Sequence, residues 1–216
     1  MKKLMTLCIS TLLLLATTVN ANTNNINQAT ALINNAMQES LTIINDPALT
    51  AQIKREKLWP IVTNYFDFTL ISELTLGKFS ADSTSPLGDY SDRRFNTKQQ
   101  AAFTDAFTIH LGNLYLDRLN DDSQFSVLLT QSSAMKPIRK MQRARVNSLI
   151  NNKTAIDYSL RLKNNEWRIY DVKVEGRSLI SSFRKEYAAL LLKNTPDELL
   201  TLLNDKNLAH TENNAE

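Results

Sequence analysis

The 216-residue chain carries 25 Lys and Arg against 22 Asp and Glu, a formal net charge of +3, with two histidines and one cysteine. A balance this near neutrality excludes recognition of nucleic acid by bulk charge. A lone cysteine excludes an internal disulfide and a thiolate metal site.

The first elements are not part of a fold. Met1-Lys2-Lys3 is a short basic start, Leu4 to Leu15 is apolar, and Val19-Asn20-Ala21 is a small-x-small cleavage pattern. Residues 1–21 therefore read as a secretory signal peptide. The apolar stretch is roughly a dozen residues, against about 20 needed to span a bilayer, so a retained anchor fits less well. Cleavage removes Lys2, Lys3 and Cys8, leaving 195 residues with 23 basic and 22 acidic side chains. A soluble protein of the bacterial periplasm is expected, held together by burial alone, and a chain of this size suffices for one core.

Residues 22–208 are expected to form one domain, frayed over Asn22 to Gln28 and followed by a disordered tail over 209–216. Apolar residues at Ala29, Leu32, Ile33, Ala36, Met37, Leu41 and Ile44 follow helical spacing. Asp46-Pro47 reads as the start of a second helix through Phe66, kinked or split at Pro60. Asp67 can cap a short helix from Phe68 to Leu76 that Gly77 ends, with Phe66 assigned to packing. Phe79 to Asn96, rich in Ser, Asp, Gly and Pro, reads as a long surface loop. A third long helix follows Thr97 and runs to about Asn120, its stripe made by Phe103, Phe107, Leu111, Tyr115 and Leu119.

The period then changes to two. Phe125–Thr130, Arg143–Ile150, Thr154–Lys163 and Glu166–Glu175 read as strands, the last two joined by a turn at Asn164-Asn165. Tyr170, Val172 and Val174 alternate with Asp171, Lys173 and Glu175. Helix returns with Leu179, Ile180, Phe183, Tyr187, Leu190 and Leu191 on one face. Thr195-Pro196-Asp197-Glu198 is a capping box opening a short last helix through Leu203. The order is that of an α+β domain with about four antiparallel strands.

The patterns of catalysis are weak. His210 falls in the tail and His110 beside the third-helix stripe, where a boundary residue is the ordinary reading. No three or four His, Cys or carboxylate ligands cluster, and Gly77, Gly88, Gly112 and Gly176 are too scattered to cradle a phosphate. Asp121-Asp122 suits a solvated turn, while Asp171 and Glu175 suit cross-strand pairing with Lys173 and Arg161. An acid in an apolar cone would need an inward Asp or Tyr, and Asp157, pointing to the opposite face from Tyr158, argues against that arrangement. The basic run from Lys136 to Arg145 reads equally as a solvated loop leading into a strand and as a docking or lipid-headgroup surface. The apolar faces all meet on one side of one sheet. They suit a tightly packed core or, if the elements splay, an apolar cavity.

Two stretches, Tyr65 to Lys78 and Trp167 to Tyr187, resemble the MlaC family of periplasmic phospholipid-binding proteins, also called toluene-tolerance or ABC-transporter auxiliary proteins. The matching positions are Phe66-Asp67-Phe68, Ile71, Leu76-Gly77-Lys78, Phe103, Phe107, Tyr115, Trp167, Tyr170, Asp171, Glu175, Gly176 and Ser178. The polar Ser80–Arg94 loop and Arg177 depart from the family pattern. The resemblance implies an NTF2-like or cystatin-like helix-on-sheet fold, helices covering one sheet face around a cavity for acyl chains. It implies a monomeric carrier, not an enzyme, without a cofactor. Its cargo would be phospholipid, passed between an outer-membrane lipoprotein–porin complex and an inner-membrane ABC transporter with an MCE-domain ring, in maintenance of outer-membrane lipid asymmetry. An NTF2-like enzyme for a small apolar substrate and a non-lipid assembly or chaperone module are the rival readings.

On that basis the expected lipid contacts are Val127, Leu129, Val146, Ile156, Tyr158, Leu160, Tyr170, Val172 and Val174 of the sheet. Phe68, Ile71, Phe103, Phe107, Leu111, Tyr115 and Phe183 are expected to close the cavity. Headgroups left in water suit a mouth with few fixed charges, and Asp171→Asn is expected to leave lipid retention intact.

Overall fold

The computed structural model describes residues 25–116, 124–138 and 141–213. The signal-peptide reading, the end of the third long helix and the Asp121-Asp122 turn lie outside the described residues. Helix α1 occupies 25–44, so residues 25–28 are helical where fraying was expected. Ala29, Ile33 and Ala36 are at most 3% exposed, forming the stripe by which α1 packs. The next helix begins later than Pro47. Asp46 Oδ1 accepts the Ala48 N–H at 2.9 Å, folding Pro47 into a turn. Helix α2, Ala51–Tyr65, is instead capped by Thr50, whose hydroxyl accepts the Ile53 N–H, and it continues through Pro60.

At Phe66 the backbone extends and bridges Ile169, and the Asp67 N–H donates to the Ile169 carbonyl at 2.8 Å. Asp67 Oδ1 accepts the Leu70 N–H at 3.1 Å and starts helix α3, Phe68–Leu76. Its other oxygen is paired with the Arg161 guanidinium; both side chains are nearly buried, at 7% and 12% exposure. One carboxylate thus caps a helix and neutralises a buried cation, binding the helical layer to the sheet. Gly77 closes α3 with φ +57°, a conformation that favours glycine.

Residues 79–96 are more ordered than their composition predicts. A short 3₁₀ turn spans Gly88–Arg93, and Phe79, Leu87 and Phe95 are buried. Arg94 gathers the segment by donating to the carbonyls of Lys78, Ser80, Ser83 and Ser85. Helix α4 follows, Thr97–Leu116 as far as it is described.

Strands β1 (Val127–Ile138), β2 (Met141–Ile150), β3 (Thr154–Lys163), β4 (Glu166–Val174) and β5 (Arg177–Ser178) form an open antiparallel sheet in sequential order. β1 is twice the expected length, so Lys136 of the basic run lies on β1 and Arg143 and Arg145 lie on β2. Asn164 and Asn165 take φ of 52° and 63° in the predicted two-residue turn, and Glu175-Gly176 makes a second, with φ of 49° and 80°.

On one face, Val146, Tyr158 and Val172 stand in register, and Ile156, Leu160, Trp167 and Ile169 join them against Ala29 and Ile33 of α1. The other face carries Arg143, Arg145, Ser159 and Lys173. Tyr170 corrects the expected alternation. A bulge pairs Ser159 with Asp171 and Leu160 with Ile169, so Tyr170 has no opposite residue and turns into the helical core.

Ser178 caps helix α5, Leu179–Leu191, by accepting the Ser181 N–H at 3.1 Å. Thr195 and Glu198 form the predicted capping box, opening α6, Pro196–Asn213. That helix passes Leu203 and Leu208, the expected ends of helix and domain, and continues through the first residues of the expected tail. Buried Asn207 carries the contact onward, donating to the Ala106 carbonyl at 2.9 Å and accepting from Asn113. A second core thus forms beside β4, where α3, α4, α5 and α6 pack together.

Candidate functional site

Between the two cores lies a cavity of about 550 Å³. Val62 of α2, Phe66 just past its end, Phe68 and Ile71 of α3, and Leu111, Gly112, Tyr115 and Leu116 of α4 form its helical side. Val172, Val174 and Leu179 face them from β4 and α5, with Asp171, Glu175 and Arg177 at the sheet edge and Ser182 on α5. The cavity exists because the chain changes direction here. Phe66 leaves α2 to bridge β4, so α2 and α3 diverge around it, and Phe66 stacks on Phe68 with centroids 5.9 Å apart. Gly112 allows α2 close to α4: a Cβ on it would lie 2.5 Å from the Trp59 ring.

Six expected contacts come together in this wall: Phe68, Ile71, Leu111, Tyr115, Val172 and Val174. The others lie elsewhere. Phe103, Phe107 and Phe183 are rings of the helical core, packed with Tyr187 at centroid distances of 5.1 to 5.9 Å. Tyr170 joins that core from the bulge. Val146, Ile156, Tyr158 and Leu160 are buried under α1, Leu129 packs at the margin of that cluster, and Val127 is half-buried on β1. Val62, Phe66, Leu116 and Leu179 were not expected in the wall. The first two were legible as apolar residues near the α2–α3 break; Phe66, assigned to packing, does both.

Of the two acids at the wall, Asp171 and Glu175, the first is committed to structure. Asp171 does not form the expected cross-strand ion pair. Its Oδ2 accepts the Ser178 hydroxyl at 2.7 Å and its Oδ1 the Ile180 N–H at 3.2 Å, at the start of α5. His110 sits outside the wall, 6.3 Å from the Phe183 ring, and burial holds its imidazole below the ordinary histidine range. Among the described residues, no group of three or more His, Cys, Asp or Glu is placed to hold a metal.

The cavity does not have an uncharged surround. Beyond β4, β5 and the first turn of α5 lies an open groove of about 630 Å³ rich in Arg and Lys. It shares Asp171, Arg177 and Ser182 with the cavity wall. The expectation of a mouth with few fixed charges is corrected by these side chains, because the polar alternates of β2 and β4 are basic.

An open antiparallel sheet, one helix on its face and a helical core at its edge, parted by an apolar cavity, define a small-molecule-binding α+β protein. The chain belongs to the MlaC protein family, whose model matches residues 34–205. No curated protein matches it. Among solved structures, a phospholipid-binding protein from Ralstonia solanacearum, in complex with a phospholipid, aligns at TM-score 0.64 with 22% identity. The alignment covers 85% of this chain and 99% of that one, and establishes a shared fold.

Proposed function

We propose that this protein is a periplasmic phospholipid carrier, exported by a signal peptide at residues 1–21. It shuttles lipid between an outer-membrane lipoprotein–porin complex and an inner-membrane ABC transporter with an MCE-domain ring, and so maintains outer-membrane lipid asymmetry. The observation that carries this reading is the apolar cavity between α2, α3, α4 and β4 in a chain of the MlaC family. Support comes also from the solved neighbour, which holds a phospholipid.

Transfer of acyl chain from water contributes about 0.8 kcal/mol per CH₂, so an apolar slot suffices for tight binding of an aliphatic chain. Phe66, Phe68, Ile71, Leu111, Tyr115, Val172 and Val174 contact the acyl chains in this reading. Phe107 and Phe183 stand behind them in the solid core and keep the wall in place. A carrier rather than an enzyme is favoured because the Asp171 carboxylate is already engaged by the start of α5. The protein acts as a monomer and needs no cofactor.

Native mass spectrometry of protein purified from a bacterial host tests the proposal. The expected result is copurified phospholipid at a fixed ratio to protein. Protein free of lipid, and unable to take it up from vesicles, would refute it.

A further inference from the structure

Six cations face the groove on the far side of β4: Arg143, Arg145, Lys173, Arg177, Arg184 and Lys185. They come from three separate elements, β2, the β4–β5 edge and α5, and converge on one hollow of about 630 Å³. Bringing like charges together is unfavourable unless an anion offsets them. Asp171 is the one carboxylate among the lining residues, and it is spent on the Ser178 hydroxyl and the Ile180 N–H. Lys173 stands opposite Asp157, which instead accepts from Asn147.

Two of the four guanidinium groups, those of Arg143 and Arg184, are held in place while keeping donors to spare. Arg143 donates to the Lys136 carbonyl from Nε and Nη2 and to the Tyr170 hydroxyl from Nη1 at 3.0 Å. Arg184 is fixed by one bond from Nε to the Leu74 carbonyl at 2.7 Å. Arg145 Nε is a buried donor with no hydrogen-bond acceptor among the described residues. A buried N–H left unpaired is costly, so the Arg145 side chain gains from an acceptor that comes within its reach.

We propose that this groove is a binding site for a phosphate-bearing anion. Several rigid guanidinium forks around one hollow match the oxygens of a phosphate ester better than a single carboxylate. Arg177 and Ser182 line both this groove and the apolar cavity. A lipid seated in the cavity therefore has its exit beside the cations, and the site deepens the carrier reading by favouring anionic headgroups. A free phosphate ester is the other source of the same chemistry. The lipid arm of the test rests on the carrier reading; the free-ester arm does not.

The test uses the delipidated full-length protein, with Arg145→Gln and Lys173→Gln as variants that lie outside the cavity wall. Calorimetric titration with glycerol 3-phosphate is expected to show saturable binding, at least about tenfold weaker in each variant and weakened by added salt. Lys173 is not buried, so its variant keeps the test open if Arg145→Gln fails to fold. In parallel, lipid copurified from a host with anionic and zwitterionic phospholipids is identified. Anionic lipid enriched in the wild type, and at host proportions in the variants with total lipid unchanged, supports the site with a headgroup as its ligand. Charge-dependent glycerol 3-phosphate binding with host-like lipid throughout supports it with a free ester as its ligand. Indifference to the variants in both arms overturns the inference and leaves the carrier reading intact. Protein without any lipid defeats the carrier reading, and the titration alone then decides the groove.

Discussion

The two halves of α4 carry one apolar stripe and use it differently. Phe103 and Phe107 in the first half are fully buried, stacked at 5.2 Å, and enclosed by Phe183 and Tyr187. Leu111 and Tyr115, one and two turns further on, line the cavity, and Tyr115 is 48% exposed. The difference arises outside α4. Phe183 and Tyr187 of α5 pack on Phe103 and Phe107, whereas the chain leaves α2 at Phe66 opposite Leu111 and Tyr115. α6 runs on as far as Asn113, but on another side of the helix. A repeat of four residues states which face is apolar; its neighbours decide whether that face is filled or left open.

The contrast is broken most strongly at Phe107. Phe107→Ala removes a ring from the solid core and is expected to cost about 3–5 kcal/mol, read by denaturant unfolding of lipid-free protein. Gly112→Ala drives a methyl into the Trp59 ring and should cost about 1–3 kcal/mol. It also narrows the cavity, so copurified lipid should fall with stability. Val172→Glu should cost only about 1 kcal/mol, since the site is half-buried, yet abolish lipid retention by placing a carboxylate against acyl chain. A loss of lipid no greater than that of Phe107→Ala at matched stability would erase the distinction between core and wall.

The smallest expected effect is that of pH. His110 lies where α4 meets α6, with Lys206, His210, Glu186 and Asn207 around it, and burial is the main cause of its lowered pKa. The unfolded chain binds a proton near the ordinary value of 6.5, and the folded chain only at lower pH. Stability is therefore full above about 6.5 and declines as pH falls toward the folded pKa. His110→Gln should flatten the fall in Tm between about pH 7 and 5, and His210, lowered too, accounts for part of the slope that remains.

Much of this was legible before any coordinate. The Asp67 cap, the Asn164-Asn165 turn and the Thr195 capping box are local devices, determined by side chains within three residues of the backbone they serve. Six residues of the cavity wall were also legible, because apolar periodicity and the resemblance pointed to the same faces. Less accessible were features decided at a distance. The Tyr170 bulge depends on pairing with β3, and a strict alternation of two cannot reveal it. Asn207 hides the length of α6 because a polar residue closes the apolar pattern while its amide is satisfied by α4. Asp171 resembled a strand-surface acid until β5 brought Ser178, and the start of α5 brought Ile180, to it. Asp171→Asn is thus a test of the α5 start rather than a neutral control for lipid retention.

The central claim, that lipid lies against the second half of the stripe and not the first, is open to photocrosslinking in cells. Benzoylphenylalanine at Tyr115 or Phe68 should form adducts with phospholipid. At Leu128, exposed on the outermost strand, it should form none. Adducts at positions 68 and 115 alone are the predicted result; equal labelling at all three, or none at 68 and 115, would contradict the account.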